Sequence, residues 1–409
     1  MYLFIKLKDL KSGDKMNVPK LRFKEFNDKY NITKVSEIID VIDGDRGNNY
    51  PKANDFYDSE FCLFLNAGNV TKNGFNFKNN QFITKEKDKK LRKGKLLIND
   101  IVLTTRGTVG NVAWFNEKTP YKNIRINSGM VINRIKENGH LLPEYLYSYM
   151  KSPVFEIQVN KMNYGSAQPQ LTVSGINKFN IQYPTINEQK KVSTIMLLLD
   201  KKIELQSKKI EDLKLFKSYT KIRLFQNGDK TIKLGDILTK WNKKNKDGLI
   251  DYVESISNKF GFISQSDQFE DRNVASKDLK NYYVIEKNVF GYNPSRLNVG
   301  SLALKDNDNI SVVSPLYECF TTNQNNKFML EWFDSIYFKR GTLSRFEGGV
   351  RNTLNFTNLC EIEINLPSIE LQNKYATYLS TLDKKIKFEE QKLNGLKNLK
   401  KGLMQNMFV

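Results

Sequence analysis

The clearest pattern in this sequence is a run of mostly apolar residues spaced alternately by four and three positions. It begins at Val192 and continues through Met196, Leu199, Ile203, Gln206, Ile210 and Leu213. This spacing places the residues on one stripe of an α-helix and is typical of a coiled-coil seam. The same pattern returns at Tyr375, Leu379, Leu382, Ile386, Glu389, Leu393 and Leu396. The sequence therefore predicts two long helices, over residues 184–228 and 367–409, each roughly 60 Å long at about 1.5 Å per residue.

The two predicted helices are copies of one element. Leu199-Asp200-Lys201-Lys202-Ile203 recurs letter for letter as Leu382-Asp383-Lys384-Lys385-Ile386, and the match extends without gaps along both helices, always 183 positions apart. Each seam has one polar residue at the same place, and a single polar seam residue typically fixes the register between paired helices. We therefore expect the helices to pack antiparallel through these seam residues: Leu199, Ile203, Gln206, Leu213, Leu382, Ile386, Glu389 and Leu396.

The rest of the chain divides into a basic lead-in, residues 1–32, and two globular domains, residues 33–183 and 229–366. Both domains contain short strand-like runs separated by loops rich in Gly, Asn and Lys. They open on similar sequences at Lys34 and Lys233, which lie 199 positions apart.

Phe26 and Phe225 share this offset, so the lead-in is interpreted as the tail of a third, truncated helix. The repeats predict an α+β fold: two globular α/β domains joined by two long antiparallel coiled-coil helices, with a pseudo-twofold cyclic repeat.

The composition indicates what kind of partner the protein binds. The 409 residues carry a formal net charge of +20, and so large an excess indicates an anionic partner, either nucleic acid or a membrane surface. No apolar run approaches 18 residues, and Met1 to Leu10 is interrupted by Lys6, Lys8 and Asp9. We therefore expect neither a transmembrane helix nor a secretory signal, and no membrane partner.

Catalytic chemistry has little support in the sequence. His140 is the only histidine, and Cys62, Cys319 and Cys360 are unclustered. We find no phosphate loop of the Gly-x4-Gly-Lys-Ser/Thr type and no Asn/Asp-Pro-Pro-Tyr/Phe stretch. The expectation is a cytoplasmic protein with no catalytic residue, metal or cofactor.

Each globular domain carries one arginine in a polar loop between predicted strands. Arg106 follows Asn99-Asp100-Ile101-Val102, and Arg296 follows Lys287-Asn288-Val289-Phe290. A loop of small residues near the end of each domain adds glutamines in one copy and an arginine in the other. Arginine pairs with guanine edges or phosphates, and glutamine pairs with adenine edges. The candidate DNA-binding residues are Thr105, Arg106, Gln168, Gln170, Tyr292, Asn293, Ser295, Arg296 and Arg351.

Several motifs point to a known family. They are Pro184-Thr185-Ile186 with Glu188-Gln189 before the first long helix, the second copy of this box, and the segments Asn17-Val18-Pro19-Lys20-Leu21-Arg22-Phe23, Tyr292-Asn293-Pro294-Ser295-Arg296 and Ser314-Pro315-Leu316-Tyr317. With these motifs the chain resembles the specificity (S) subunits of type I restriction-modification systems. The second box departs from the first in having Leu371-Gln372 where the first has Glu188-Gln189.

The resemblance implies a non-catalytic subunit that binds double-stranded DNA. Its two globular domains would be target recognition domains, each reading one half of a bipartite DNA sequence. The long helices would set the spacing and dock two modification (methyltransferase) subunits. Two restriction subunits would complete a complex that methylates adenine and cleaves DNA with ATP.

Two other functions stay open on the residues alone. One is a self-sufficient DNA-modifying enzyme with unrecognised catalytic motifs, and the other is a coiled-coil DNA-tethering protein without sequence specificity. S-adenosylmethionine binding by the isolated chain distinguishes the first of these from a specificity subunit.

Overall fold

The computed structural model describes residues 5–7 and 18–409, apart from residues 138, 164–169, 259, 265–277, 344 and 346–352. The chain divides into two compact units. The first unit consists of Met1–Gln206 together with Lys392–Val409, and the second consists of Ser207–Gln391. Because the unit boundaries fall inside the long helices, each unit contains one globular domain and a segment of each helix.

The prediction of two long helices is confirmed. They are Ile186–Gln226, which we call the central helix, and Ile369–Met407, which we call the C-terminal helix. Their seam residues face the protein interior, whereas lysines at 201, 202, 208, 209, 384 and 385 are exposed. Among the seam residues, Leu199, Gln206, Leu382, Ile386 and Glu389 are buried, and Ile203, Leu213 and Leu396 are half-buried.

Within the second unit the two helices run antiparallel. Lys209 contacts Glu389 at 2.5 Å and Lys217 contacts Asp383 at 2.8 Å, so residue numbers rise along one helix as they fall along the other. In the first unit the corresponding ion pair joins Lys400 to Asp200.

Aromatic packing is also repeated. Phe408 lies 5.6 Å, centroid to centroid, from Tyr145 in the first unit, and Phe225 lies 5.4 Å from Phe328 in the second. Phe408 joins Leu403, Met404 and Met407 in the buried core of the first unit, so the end of the C-terminal helix is an integral part of that unit.

A buried glutamine joins the central helix to the first domain. The Gln189 side-chain amide donates to the carbonyl oxygens of Pro184, at 2.9 Å, and His140, at 2.8 Å. Its oxygen accepts a hydrogen bond of 2.8 Å from the backbone amide of Leu142. Every polar atom of this side chain is therefore satisfied without water, as a buried amide requires.

The C-terminal helix is joined to the second domain in the same way. Gln372 donates to the Pro367 carbonyl at 2.9 Å and accepts from the Asn325 backbone amide at 3.1 Å. Leu142 and Asn325 are the N-caps of equivalent helices, Pro143–Met150 and Asn326–Phe333. The start of each long helix is thus fixed on its domain by one side chain.

Both domains are built around a four-stranded antiparallel sheet with the same strand order. In the first domain the order is Val112–Trp114, Ile101–Thr104, Met130–Ile135, Ile39–Asp43, and in the second it is Leu302–Leu304, Phe290–Tyr292, Glu318–Thr322, Leu238–Lys240. Ile101 and Leu103 pack into one core and Val102 into another, as side chains alternate along a strand. Burial on both faces explains why this strand is an unbroken apolar run.

The remaining described elements surround these sheets. In the first unit, the strands are Ile5–Leu7, Leu21–Phe23, Asn31–Lys34, Cys62–Phe64, Val70–Thr71, Gly74–Phe75, Phe82–Ile83, Ile124–Arg125 and Asn180–Tyr183, and the helices are Val35–Ile38, Ala53–Asp55, Ala67–Asn69, Lys85–Lys90, Pro143–Met150, Pro153–Asn163 and Val173–Ile176. In the second unit, the strands are Lys230–Lys233, Glu254–Ser257, Gly261–Ser264, Tyr283–Ile285, Ser311–Val313 and Glu363–Leu366, and the helices are Leu234–Asp236, Pro294–Val299, Asn326–Phe333, Ile336–Leu343 and Phe356–Cys360.

The repeat begins earlier than the sequence indicates. The helix pair Pro143–Met150 and Asn326–Phe333 keeps the 183-residue offset, and so does the strand pair Asn180–Tyr183 and Glu363–Leu366. These last strands pair with Asn31–Lys34 and Lys230–Lys233 in an identical register. The strand pair agrees with the short strands that the sequence predicts at Phe179 to Ile181 and Ile362 to Ile364. The helix pair was not predicted, because its two copies share buried apolar residues but few identical letters.

The interpretation of the lead-in as a truncated helix is wrong. Leu21–Phe23 is a strand paired with Ile5–Leu7, and its Arg22 reaches the central helix instead. Arg22 makes two hydrogen bonds of 2.8 and 2.6 Å to the Glu188 carboxylate, which also accepts from the Tyr30 hydroxyl at 3.2 Å. Burial lowers the pKa of Arg22, but Glu188 outweighs this and raises it, so the guanidinium stays charged.

Candidate nucleic-acid interface

One edge of the first sheet gathers three loops. The strand Ile101–Thr104 ends at Thr104, which pairs with Met130, the first residue of the neighbouring strand. The next strand, Ile39–Asp43, ends at Asp43, which pairs with Val131. Because neighbouring strands are antiparallel, the loops at residues 44–47, 105–110 and 127–129 all leave from this edge. The backbone amides of Thr105 and Arg106 donate to the carbonyl of Gly129, at 2.8 and 3.3 Å, and hold two of the loops together.

Arg106 and Gln170, both predicted from the sequence, meet at this edge. With the Gln170 amide in its hydrogen-bonding orientation, its oxygen lies 3.2 Å from Arg106 Nε and 2.9 Å from Nη2. The backbone amide of Leu171 donates to the carbonyl of Thr105 at 3.0 Å, which brings the two loops side by side. Arg106 and Gln170 are exposed. The Thr105 side chain is buried, so it supports the loop and does not present a group to solvent.

Arg46 is a second cation at this edge, and it was not among the residues predicted from the sequence. Its guanidinium donates to the carbonyl of Ser128 at 3.2 Å and lies 3.0 Å from Asp43. The neighbouring carboxylate of Asp45 accepts the backbone amides of Gly47 and Arg92, which lower its pKa and keep it ionised. The turn Asp43-Gly44-Asp45-Arg46-Gly47 was the available signal, since it combines turn residues with a cation.

The second sheet has a similar edge. Its arginine lies on the short helix Pro294–Val299, which the Asn293 side chain caps by accepting the Ser295 amide at 3.0 Å. The helix ends at Gly300, whose φ of 87° is the left-handed conformation that glycine adopts without strain. Ser295 and Arg296 are exposed. The Leu354 amide donates to the Pro294 carbonyl at 3.1 Å, as Leu171 does to Thr105 in the first domain.

The structure corrects the alignment of the two loops by one residue. Asn99 and Asn288 both have positive φ, 78° and 73°, and occupy the same turn before the loop strand. Asn288, not Lys287, is therefore the counterpart of Asn99. The one-residue difference between the loops lies after the strand, where the second domain forms the short helix that carries Arg296.

Tyr292 does not fit the predicted role. Its side chain is fully buried, and its hydroxyl has no hydrogen-bond partner among the described residues. Burial raises its pKa well above the ordinary value. The side chain points into the core because Phe290–Tyr292 is a strand, so Tyr292 is removed from the candidate interface. Gln168 and Arg351 lie outside the described residues.

Neither a metal-binding cluster nor a membrane-spanning helix occurs in the described part of the chain. No group of three or more His, Cys, Asp or Glu side chains there is arranged to hold a metal ion. No helix among the same residues has the length and apolar content needed to cross a membrane.

The architecture is therefore a two-repeat α+β protein in which each domain is followed by a long helix and presents an arginine loop at one sheet edge. Residues 2–215 and 228–398 match the family model described as the type I restriction modification DNA specificity domain. Over 353 residues the chain is 25% identical to the type I restriction enzyme MjaIX specificity subunit of Methanocaldococcus jannaschii. The match covers 75% of this chain and 76% of that protein.

Solved structures share the fold. An S subunit of a type I restriction-modification system from M. genitalium matches with a TM-score of 0.59 and 15% identity, over 96% of this chain and 99% of that one. A chain from a structure of type I R-M complex assembly and conformational transition gives a TM-score of 0.56 and 13% identity, over 93% and 97%. The chain belongs to the type I restriction-modification specificity family.

Proposed function

We propose that this chain is the DNA-specificity subunit of a type I restriction-modification complex, and that it has no catalytic activity itself. Each globular domain reads one half of a bipartite sequence in double-stranded DNA. The central and C-terminal helices form an antiparallel coiled-coil spacer with pseudo-twofold symmetry, and they dock two methyltransferase subunits. Two restriction subunits complete the assembly.

The observation that carries this proposal is the repeated sheet edge. Two domains with the same strand order carry an exposed arginine, Arg106 or Arg296, on the equivalent loop, which backbone hydrogen bonds hold in place. Loops on a rigid sheet position side chains well for reading base edges. Two equivalent readers in one chain suit a DNA site with two separate halves.

Differences between the domains explain how the halves can differ in sequence. In the first domain, Arg106 contacts Gln170 and lies near Arg46. In the second domain, Arg296 follows Ser295 on a short helix. The two edges therefore offer different donor and acceptor patterns, and different base sequences would satisfy them.

The test is methylation mapping of host DNA with Arg106→Ala and Arg296→Ala chains assembled with the methyltransferase subunit. A bidentate arginine–guanine contact contributes about 1–3 kcal/mol of discrimination. Each variant should therefore relax the base discrimination at one position of a different half-site and leave the sequence of the other half-site unchanged.

Matched controls lie at the opposite sheet edges. Lys118→Ala in the first domain and Lys287→Ala in the second each remove one exposed positive charge. They should leave the methylated sequence unaltered. Equal weakening of all sequences by both arginine variants would instead assign these side chains to phosphates.

A further inference from the structure

A β-hairpin lies beside the Arg296 loop in the second domain. Its strands, Glu254–Ser257 and Gly261–Ser264, pair from Glu254 with Ser264 to Ser257 with Gly261. Gly261 opens the second strand with a φ of 72°, a left-handed conformation that glycine adopts without strain. A Cβ atom on Gly300 would lie 3.8 Å from Asn258 Cβ, so the hairpin loop borders the end of the helix that carries Arg296.

The hairpin is firmly braced. The Glu254 carboxylate accepts from the ammonium group of Lys305 and from the Ser311 hydroxyl, and all three side chains are buried. Nearer the loop, the Ser301 hydroxyl donates to the Ile256 carbonyl at 3.2 Å. A buried, hydrogen-bonded ion pair of this kind holds a strand in one position. The loop is therefore presented on a rigid support.

Phe260, at the tip of this hairpin, is 66% exposed. The first domain has an equivalent hairpin, Val70–Thr71 with Gly74–Phe75, braced at the same place because Asn111 donates to the Val70 carbonyl at 3.0 Å. Its tip, however, is polar, with Lys72 and Asn73 exposed. An exposed phenylalanine beside a cationic loop thus distinguishes the second domain from the first.

We propose that Phe260 inserts between base pairs of the second half-site as an apolar wedge. This inference rests on the proposed function and adds a residue and a mode of contact to it. Proteins that deform DNA use rigidly held apolar side chains to unstack a base step, while neighbouring cations hold the backbone. Arg296 provides the cation, the braced hairpin provides the rigidity, and the ring provides a surface that stacks on any base.

The test uses the full-length chain and 45-base-pair duplexes selected by it from a random library. 2-Aminopurine, whose fluorescence rises on unstacking, is placed in turn at each purine of the second half-site. The wild-type chain should raise the fluorescence at one step. Phe260→Ala should abolish this rise and weaken binding about 5- to 150-fold, the range that loss of one base–aromatic stack gives. Phe260→Trp should preserve both.

Asn73→Ala, at the equivalent tip of the first domain, is the matched control and should leave the signal in the second half-site unchanged. The wedge proposal is overturned if Phe260→Ala binds the duplexes as tightly as the wild type does, or if no wild-type complex shows an unstacked base step. If the wild-type chain selects a split sequence in that case, the proposed function survives without the wedge. If it selects no sequence either alone or assembled with the methyltransferase subunit, the proposed function fails as well.

Discussion

The buried contact between Arg22 and Glu188 makes a strong prediction about the stability of the first unit. Only 8% of the Arg22 side chain and 1% of the Glu188 side chain are exposed. Arg22→Met leaves the Glu188 carboxylate buried with the Tyr30 hydroxyl as its remaining side-chain donor among the described residues. Removing one partner of a buried ion pair costs about 3–5 kcal/mol, so we expect that loss in the unfolding free energy of the first unit.

The chain itself provides the compensating change. The position equivalent to Glu188 in the second copy is Leu371. A triple variant, Arg22→Met, Glu188→Leu and Tyr30→Phe, removes both charges and the hydroxyl that would otherwise lose its acceptor. Replacing a whole buried pair by apolar side chains is often neutral, or stabilising by about 1–4 kcal/mol. The triple variant should therefore regain the stability that the single variant loses.

Hydrogen exchange measured across a urea series separates the two units. Peptides from Leu21–Phe23 and from the start of the central helix report on the first unit, and peptides from Asn326–Phe333 serve as an internal control. The reasoning is refuted if the single variant loses less than about 1 kcal/mol, or if the triple variant is as unstable as the single one.

Three further predictions concern DNA binding and the long helices. The isolated chain should bind DNA weakly, lose affinity steeply as salt rises because phosphate contacts release counterions, and transfer no methyl group to DNA; gel-shift titration and methylation assays check this. Replacing Gln206 and Glu389 by Leu should give a folded and more stable protein that tolerates shifted helix pairing, visible as an altered oligomeric state by light scattering. One heptad inserted after Ile203 and another after Ile386 should lengthen the unread DNA spacer by roughly three base pairs, since seven residues add about 10 Å of helix. Methylation mapping measures the spacing. The spacer role is contradicted if such a chain assembles but still methylates sites of the original spacing.

The long helices could be predicted from the sequence because their signal is local and periodic. An apolar stripe with alternating steps of four and three has one regular solution, and an ungapped second copy excludes coincidence. The polar residues of each box were visible too, although their role was not. Gln189 and Gln372 look like surface residues in the sequence, and only the fold shows that each meets a proline carbonyl and a helix N-cap.

The candidate interface was predictable only in part because it is assembled from distant strands. Arg46 and Arg106 come together since Asp43, Thr104 and Met130 end or begin neighbouring strands, and no local pattern records that pairing. Tyr292 failed for the opposite reason. It stands next to polar loop residues in the sequence, but strand geometry turns its side chain inward.

The packing of Leu403–Phe408 into the first unit has a consequence for biosynthesis. The second unit is one continuous segment, Ser207–Gln391, whereas the first needs Lys392–Val409 to close its core. On the ribosome, the roughly 185 residues between these parts take about 10–40 s to synthesise at about 5–20 residues per second. The first unit therefore emerges first but completes its fold last. Until the end of the C-terminal helix is synthesised, the apolar surface of the first unit stays exposed, where it can aggregate or bind chaperones.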